Sequence, residues 1–233
     1  MTRTAVIAGV GPGLGESLAR RFVTEGCQVG LLARSANYLD GLSADLGEDA
    51  LAVPTDVTKR AEVEAAFDAV REAFGPVDVL VNHASGGAWK GVTDITPAEF
   101  DDALAVSARG GLLCSQAALP DMLDGNGGTI IFTGATSAVR GRGGAAGFSA
   151  AKFAVRGLAE SMARELGPRG VHVAHVVIDG QILPPGAGSN GLPRGRDEYL
   201  DPDEIAASYW HLVEQDESAW TLELDLRPHV EEF

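Results

Sequence analysis

Ala5-Val6-Ile7-Ala8-Gly9-Val10-Gly11-Pro12-Gly13-Leu14-Gly15-Glu16-Ser17-Leu18 is the stretch that decides the fold. The apolar run Ala5–Ala8 reads as a short buried strand. From Leu14 onward, Leu18, Ala19, Phe22 and Val23 fall at helical spacing. Glycines between the two let the backbone turn sharply and approach a pyrophosphate closely. The first-turn N–H groups of the following helix add donors and a dipole favourable to an anion. The spacing is not G-x-G-x-x-G, because Leu14 stands where the third glycine is needed, and no Lys-Ser or Lys-Thr pair makes a P-loop. It is G-x-x-x-G-x-G on Gly9, Gly13 and Gly15. Strand, glycine turn and helix together predict a dinucleotide site at Gly9, Gly11, Gly13, Leu14 and Gly15.

Working outward, strand-like runs alternate with helical periodicity. Strands are expected at Thr4–Ala8, Gln28–Ala33, Ala50–Pro54, Val77–Asn82, Gly128–Thr133 and Val171–Ile178. Helices are expected at Leu14–Glu25, Lys59–Phe74, Ala98–Leu123, Ser149–Leu166 and near Pro202–Glu214, with Thr96 capping the third of these ahead of Pro97. Strands apolar at every position imply burial on both faces, as in a parallel sheet covered by helices. The pattern predicts an α/β fold, a Rossmann-type doubly wound parallel sheet in a single domain over residues 1–233. One irregular stretch, Leu183–Leu200, is rich in Pro and Gly. A loop beyond a strand's carboxyl end commonly covers a ligand, so this one is the expected substrate loop.

Composition narrows the function. The 233 residues are 45% hydrophobic, enough for one sizeable core, and carry a net charge of −15. That charge argues against nucleic acid, whose binding needs clustered Lys and Arg. No stretch has membrane-spanning length and no secretory leader is recognisable, so a soluble, cytoplasmic protein is expected. Cys27 and Cys114 lie in apolar stretches and read as reduced core thiols. His172, His175 and His211 have no metal-ligand spacing and no metal is expected.

The second expected strand ends Leu31-Leu32-Ala33-Arg34-Ser35. A carboxylate here would bind an unphosphorylated adenosine ribose. Ala33 offers none, and Arg34 can take a 2′-phosphate bidentately, so the sequence leans to NADP(H) over NAD(H). Asp56-Val57 follows the third strand, where the adenine edge should lie.

With these pieces in place the whole chain resembles a short-chain dehydrogenase/reductase. The resemblance is carried by Gly9, Gly13 and Gly15; Asp56-Val57; Val81-Asn82-His83-Ala84; Gly128–Thr133; Ser149-Ala150-Ala151-Lys152; the helix Ala154–Leu166; Ile205-Ala206; and Thr221–Leu226 as a last strand. It implies a nicotinamide cofactor held additionally by Asn82, Ala84, Lys152, Gly180 and Ile182, a small-molecule substrate, and homodimers or homotetramers. It also implies four catalytic positions: asparagine, serine, tyrosine and lysine. Carried over residue by residue, only Lys152 is retained. Phe148 stands at the tyrosine, Ala135 at the serine and Ser107 at the asparagine. Asp179-Gly180, with Pro184, stands for the family's Pro-Gly near the nicotinamide, after a one-residue shift.

A tyrosine phenol between lysine and cofactor has its pKa lowered from about 10 and moves the substrate proton. Phenylalanine cannot. Ser137, two residues beyond Ala135, would share its face if the strand continued, and Ser107 could place a hydroxyl near Lys152. His83 has a side chain suited to proton transfer near neutrality. The expected function is an NADP(H)-dependent oxidoreductase with Lys152, Ser137 and Ser107 in a non-standard site, reducing a C=N or activated C=C bond. The alternatives are a catalytically silent cofactor-binding protein, as sensor or scaffold, and a non-redox lyase or isomerase. In the expected substrate loop, Arg194 and Arg196 could meet an anionic substrate.

Overall fold

A computed structural model describes residues 2–186, 192–193 and 195–231. Seven strands form one parallel sheet: β1 (Thr4–Ala8), β2 (Gln28–Ala33), β3 (Ala50–Pro54), β4 (Val79–Asn82), β5 (Gly128–Thr133), β6 (Val171–Ile178) and β9 (Glu223–Leu226). Their order is β3-β2-β1-β4-β5-β6-β9. Every pairing is parallel, β1 lying between β2 and β4 with Ala8 beside both Leu32 and Asn82. The order reverses between β1 and β4, the point where such sheets open a crevice. A two-residue pair, β7 (Gln181–Ile182) with β8 (Tyr199–Leu200), stands apart from the main sheet.

The helices are α1 (Leu14–Thr24), α2 (Ala36–Leu46), α3 (Arg60–Phe74), α4 (Pro97–Leu104), α5 (Gly110–Asp124), α6 (Ala146–Leu166) and α7 (Pro202–Val213). They bury the sheet from both sides, which is why the central strands β1 and β4 are buried at every position, whereas the edge strand β9 carries the exposed Glu223 and Asp225. Val79, Val81 and Ile131 face α1 and α7 with Phe22, Ile205 and Tyr209. Leu80, Ile130 and Phe132 face α3, α5 and α6 with Phe67, Met122 and Val155. The alternation decides on which side of the sheet each side chain at the strand ends acts.

Several boundaries differ from expectation. Val77–Asn82 begins two residues later, at Val79, because Asp78 turns to cap the neighbouring strand, its carboxylate accepting from the Thr4 N–H at 2.8 Å. The α2 helix has no expected counterpart: Gly41 interrupts it, yet Leu39 and Leu42 bury one face. The long helix expected at Ala98–Leu123 is α4 and α5 joined by a π-helical turn at Ala105–Arg109. Its start is as expected, with Thr96 and Glu99 forming a reciprocal capping box. The last strand is Glu223–Leu226, shorter than Thr221–Leu226. Among the described residues no helix is long and apolar enough to cross a membrane.

Candidate functional site

A cleft of about 980 Å³ opens at the switch point between β1 and β4. It runs from Arg34 and Ser35 after β2, past Gly9 and Val10, to His83–Lys90 after β4. The glycine turn is shaped by contact. Gly9 has φ +108°, and a Cβ there would stand 2.4 Å from the Ala84 backbone nitrogen. Gly15 is pressed against the same turn, its would-be Cβ 3.0 Å from the Gly9 carbonyl oxygen. Gly13, at φ +99°, is the N-cap of α1 and no side chain caps that helix. Gly11 is different: a Cβ there would meet nothing within 4 Å. Gly9, Gly13 and Gly15 are therefore required by the backbone, and among the described residues Gly11 leaves open room beside a helix start with no side-chain cap. That combination suits a phosphate.

At the far end of β2, Arg34 is exposed on the cleft and makes no hydrogen bond or ion pair with another described residue. Asp56 is occupied: its Oδ1 accepts from the Thr58 hydroxyl at 2.8 Å and the Thr58 N–H at 3.0 Å, which holds its pKa below the usual carboxylate value. Val57 is buried beneath it.

The other end of the cleft is organised around Thr133, the last residue of β5. Lys152, in α6 and 3% exposed, donates its ammonium to the Thr133 carbonyl at 2.8 Å. Burial pushes Lys152 down to about 8. Phe148 lies one turn earlier, its ring 5.6 Å from Lys152 Nζ. Trp89 stacks on Phe148 with ring centres 4.4 Å apart. The loop bearing Trp89 is fastened to the start of α6, where the Ala146 N–H donates to the Lys90 carbonyl at 3.0 Å. Helix α6 begins at Ala146, three residues before the expected Ser149, so Phe148 belongs to its first turn.

The serines stand differently from expectation. The face-sharing argument for Ser137 needs the strand to continue, but β5 ends at Thr133 and Thr136–Ala138 is a 3₁₀ turn. Strand alternation therefore says nothing about Ser137, which is buried there. Ser107 sits in the π-helical turn, and its hydroxyl accepts from the Gly86 N–H at 3.2 Å. It ties the loop after β4 to the helix. Asn82 is buried; its amide donates to Ser115 Oγ at 3.2 Å, and its carbonyl oxygen has no partner among the described residues. Ala84 donates its N–H to the Ala8 carbonyl and forms the floor against Gly9.

Sequence comparison now joins the geometry. Residues 3–182 match the family model described as short chain dehydrogenase. The chain belongs to the short-chain dehydrogenase family. It is 30% identical over 230 residues to an uncharacterized oxidoreductase of Staphylococcus aureus, covering 97% of both chains. A 3-ketoacyl-(acyl-carrier-protein) reductase from Brucella melitensis, solved with NADH, superimposes with a TM-score of 0.87 at 29% identity, covering 97% of both chains. An alcohol dehydrogenase from the archaeon Thermococcus sibiricus, solved with 5-hydroxy-NADP, gives 0.88 at 26% identity, covering 100% of this chain and 99% of the other.

In this short-chain dehydrogenase two groups near the cleft have partners that carried no sequence signal, although Asp179 itself was expected beside Gly180. Asp179, 4% exposed at the end of β6, accepts from the Thr136 hydroxyl at 2.7 Å and from Arg140 at 3.2 Å. It thereby ties the loop after β5 to the end of β6, and Gly180 and Ile182 follow it. Tyr209 of α7, fully buried, donates its hydroxyl to Thr133 Oγ1 at 2.9 Å. Neither could be inferred from spacing, because the partners lie 43 and 76 residues apart. His83 also bonds Thr133 Oγ1, through Nδ1 at 3.2 Å. Its pKa is not near neutrality: burial and then the Lys152 charge push it down to about 4. Of the expected substrate loop, residues 187–191 and Arg194 lie outside the described residues. Its described start reaches the glycine turn, with Pro185 3.7 Å from a would-be Cβ on Gly13. Arg196 ion-pairs with Asp201 at 3.4 Å.

Proposed function

We propose that this single-domain protein is an oxidoreductase that binds NADP(H) in the cleft and reduces a small organic substrate in which a C=N or conjugated C=C bond accepts the electrons. The observation that carries the reading is the pairing of a phosphate cradle at Gly11 and the α1 start with an unengaged Arg34. The cradle fits a pyrophosphate and the guanidinium fits a 2′-phosphate, while no free carboxylate at the end of β2 favours the unphosphorylated ribose. When bound, the nucleotide supplies a hydride equivalent.

The chain's own residues explain the choice of substrate. Phe148 fills the place expected of a phenol and has no proton to give. Lys152 holds its ammonium 5.6 Å from the Phe148 ring, beside the same small volume. Ala135 offers no hydroxyl, and the Ser107 hydroxyl is held by the Gly86 N–H; Ser107 and Ser137 remain the candidate polar groups for the reaction. A positioned acid is worth roughly 10²- to 10⁴-fold, so a ketone gains little here. A C=N bond that is already protonated needs no such acid. The exposed Trp89 and its partner Phe148 present an apolar wall to it. Family likeness supports assembly as a homodimer or homotetramer.

Titration calorimetry with NADPH and NADH, followed by turnover with ketone, imine and enone panels, tests the reading. Tighter binding of NADPH and turnover confined to imines or enones is the expected result. Ordinary ketone turnover overturns the substrate class, and absence of any nucleotide binding overturns the whole. Nucleotide binding with no turnover would leave a silent cofactor-binding protein, the reading that Phe148 would then favour.

A further inference from the structure

Tyr209, Thr133 and His83 form a chain of hydrogen bonds that the proposed reaction does not use. Its direction follows from counting hydrogens. Tyr209 has no access to water, so its hydroxyl hydrogen needs a protein acceptor, and Thr133 Oγ1 at 2.9 Å is that acceptor. The Thr133 hydroxyl then turns its own hydrogen to its other neighbour, His83 Nδ1 at 3.2 Å. A ring nitrogen that accepts carries no hydrogen, so a neutral His83 is protonated on Nε2. Burial and the charge of Lys152 keep the ring neutral, with the pKa at about 4. Among the described residues nothing bonds Nε2, and His83 lines the cleft beside Ala84 and the glycine turn.

We propose that His83 is a preset hydrogen-bond donor of the cleft, oriented by Thr133 and Tyr209, whose Nε2–H donates to an oxygen of the bound nicotinamide nucleotide. The inference rests on the reading of the cleft as a nucleotide site. The chain orients a donor and does not feed a proton. Recharging His83 through Thr133 would leave a tyrosinate at Tyr209, and burial pushes that phenol well above its ordinary pKa. Thr133 becomes a shared anchor: its hydroxyl sets His83 from the α7 side of the sheet, and its carbonyl sets Lys152 from the α6 side. His83 is thus a ligand-binding residue, and Thr133 and Tyr209 are positioning residues.

Imidazole nitrogen NMR of the ¹⁵N-labelled full-length protein reads the tautomer directly, and NADPH calorimetry reads the contact. The wild type is expected to show hydrogen on Nε2 alone and no protonation of His83 down to about pH 5, where an ordinary histidine is charged. Thr133→Val and Tyr209→Phe are expected to release the ring into a mixture of tautomers. His83→Leu should weaken NADPH binding about five- to tenfold, the range for one lost hydrogen bond, and His83→Gln should restore most of it. Hydrogen on Nδ1, ordinary titration, or a tautomer indifferent to both positioning variants overturns the proposal. So does unchanged affinity in His83→Leu while the wild type binds NADPH. A wild type that binds no nucleotide sinks the cleft reading itself, and that failure is read from the wild-type titration alone.

Discussion

Placing a phenol beside Lys152 is the most searching perturbation. In Phe148→Tyr combined with Ala135→Ser, the new phenol grows from a ring already 5.6 Å from the Lys152 ammonium. Taking that 5.6 Å as the charge separation and an effective dielectric of ~20, the attraction to a phenolate is about 3 kcal/mol. That is roughly two pKa units, bringing a phenol from about 10 to about 8, within reach of working pH. Opposite charge favours the ionised form, so the shift is downward. Difference absorbance of tyrosinate, taken against Ala135→Ser alone, measures it. The background is favourable, because burial raises the phenols of Tyr38 and Tyr209 above their ordinary values. An acid tuned in this way should raise NADPH-linked ketone reduction by about 10²- to 10⁴-fold. A phenol that titrates near 8 in a variant with no gain on any ketone would refute the argument that proton supply is what the wild type lacks. A phenol still titrating at 10 would refute the electrostatics.

The remaining expectations test other parts of the site. Arg34→Ala should cost NADPH about 10- to 100-fold in affinity, the worth of hydrogen bonds to a charged group, and leave NADH nearly unchanged; calorimetry with both nucleotides decides it. Gly9→Ala combines an unfavourable φ of +108° with a Cβ 2.4 Å from the Ala84 nitrogen, so urea unfolding should show a loss of roughly 2 kcal/mol or more. Gly134→Ala should be comparably damaging, because its Cβ would stand 2.3 Å from His175 Nε2 inside the core. Burial holds the folded Lys152 at about 8, below the ordinary lysine value of 10.5, so the folded state sheds its proton first and stability should rise with pH between those values. Urea midpoints at either end of that window should show the ligand-free wild type gaining up to about 3 kcal/mol relative to Lys152→Met. A constant difference would refute burial as the cause.

Much of this molecule is legible in its residues. Strands β1, β2, β3, β5 and β6 coincide with their apolar runs, because a sheet covered on both faces leaves no polar position to blur the signal. Gly9, Gly13 and Gly15 announce a turn because only glycine accepts those backbone angles and approaches. The four-residue spacing of Phe148 and Lys152 was legible, but the helix was expected only from Ser149, and it is the start of α6 at Ala146 that puts both on one helix face. These are local consequences of periodicity and backbone geometry, and they fix the parallel sheet and the glycine turn.

Other features have no local signature. Helix α2 carries Gly41 in its middle and is stable only because Leu39 and Leu42 find the sheet. The π-helical turn at Ala105–Arg109 placed Ser107 against Gly86, and the end of β5 at Thr133 removed the alternation that Ser137 depended on. His83 looked suited to neutral-pH chemistry from its residue type, yet its pKa belongs to its surroundings: burial and the ammonium of Lys152. The sequence by itself determined the strands, the turn and which chemical groups are present. Only the tertiary structure decided what each group does, since Tyr209 meets Thr133 across 76 residues and Asp179 meets Thr136 across 43. Hydrogen bonds between distant segments depend on how the helices cover the sheet, and no spacing along the chain encodes them.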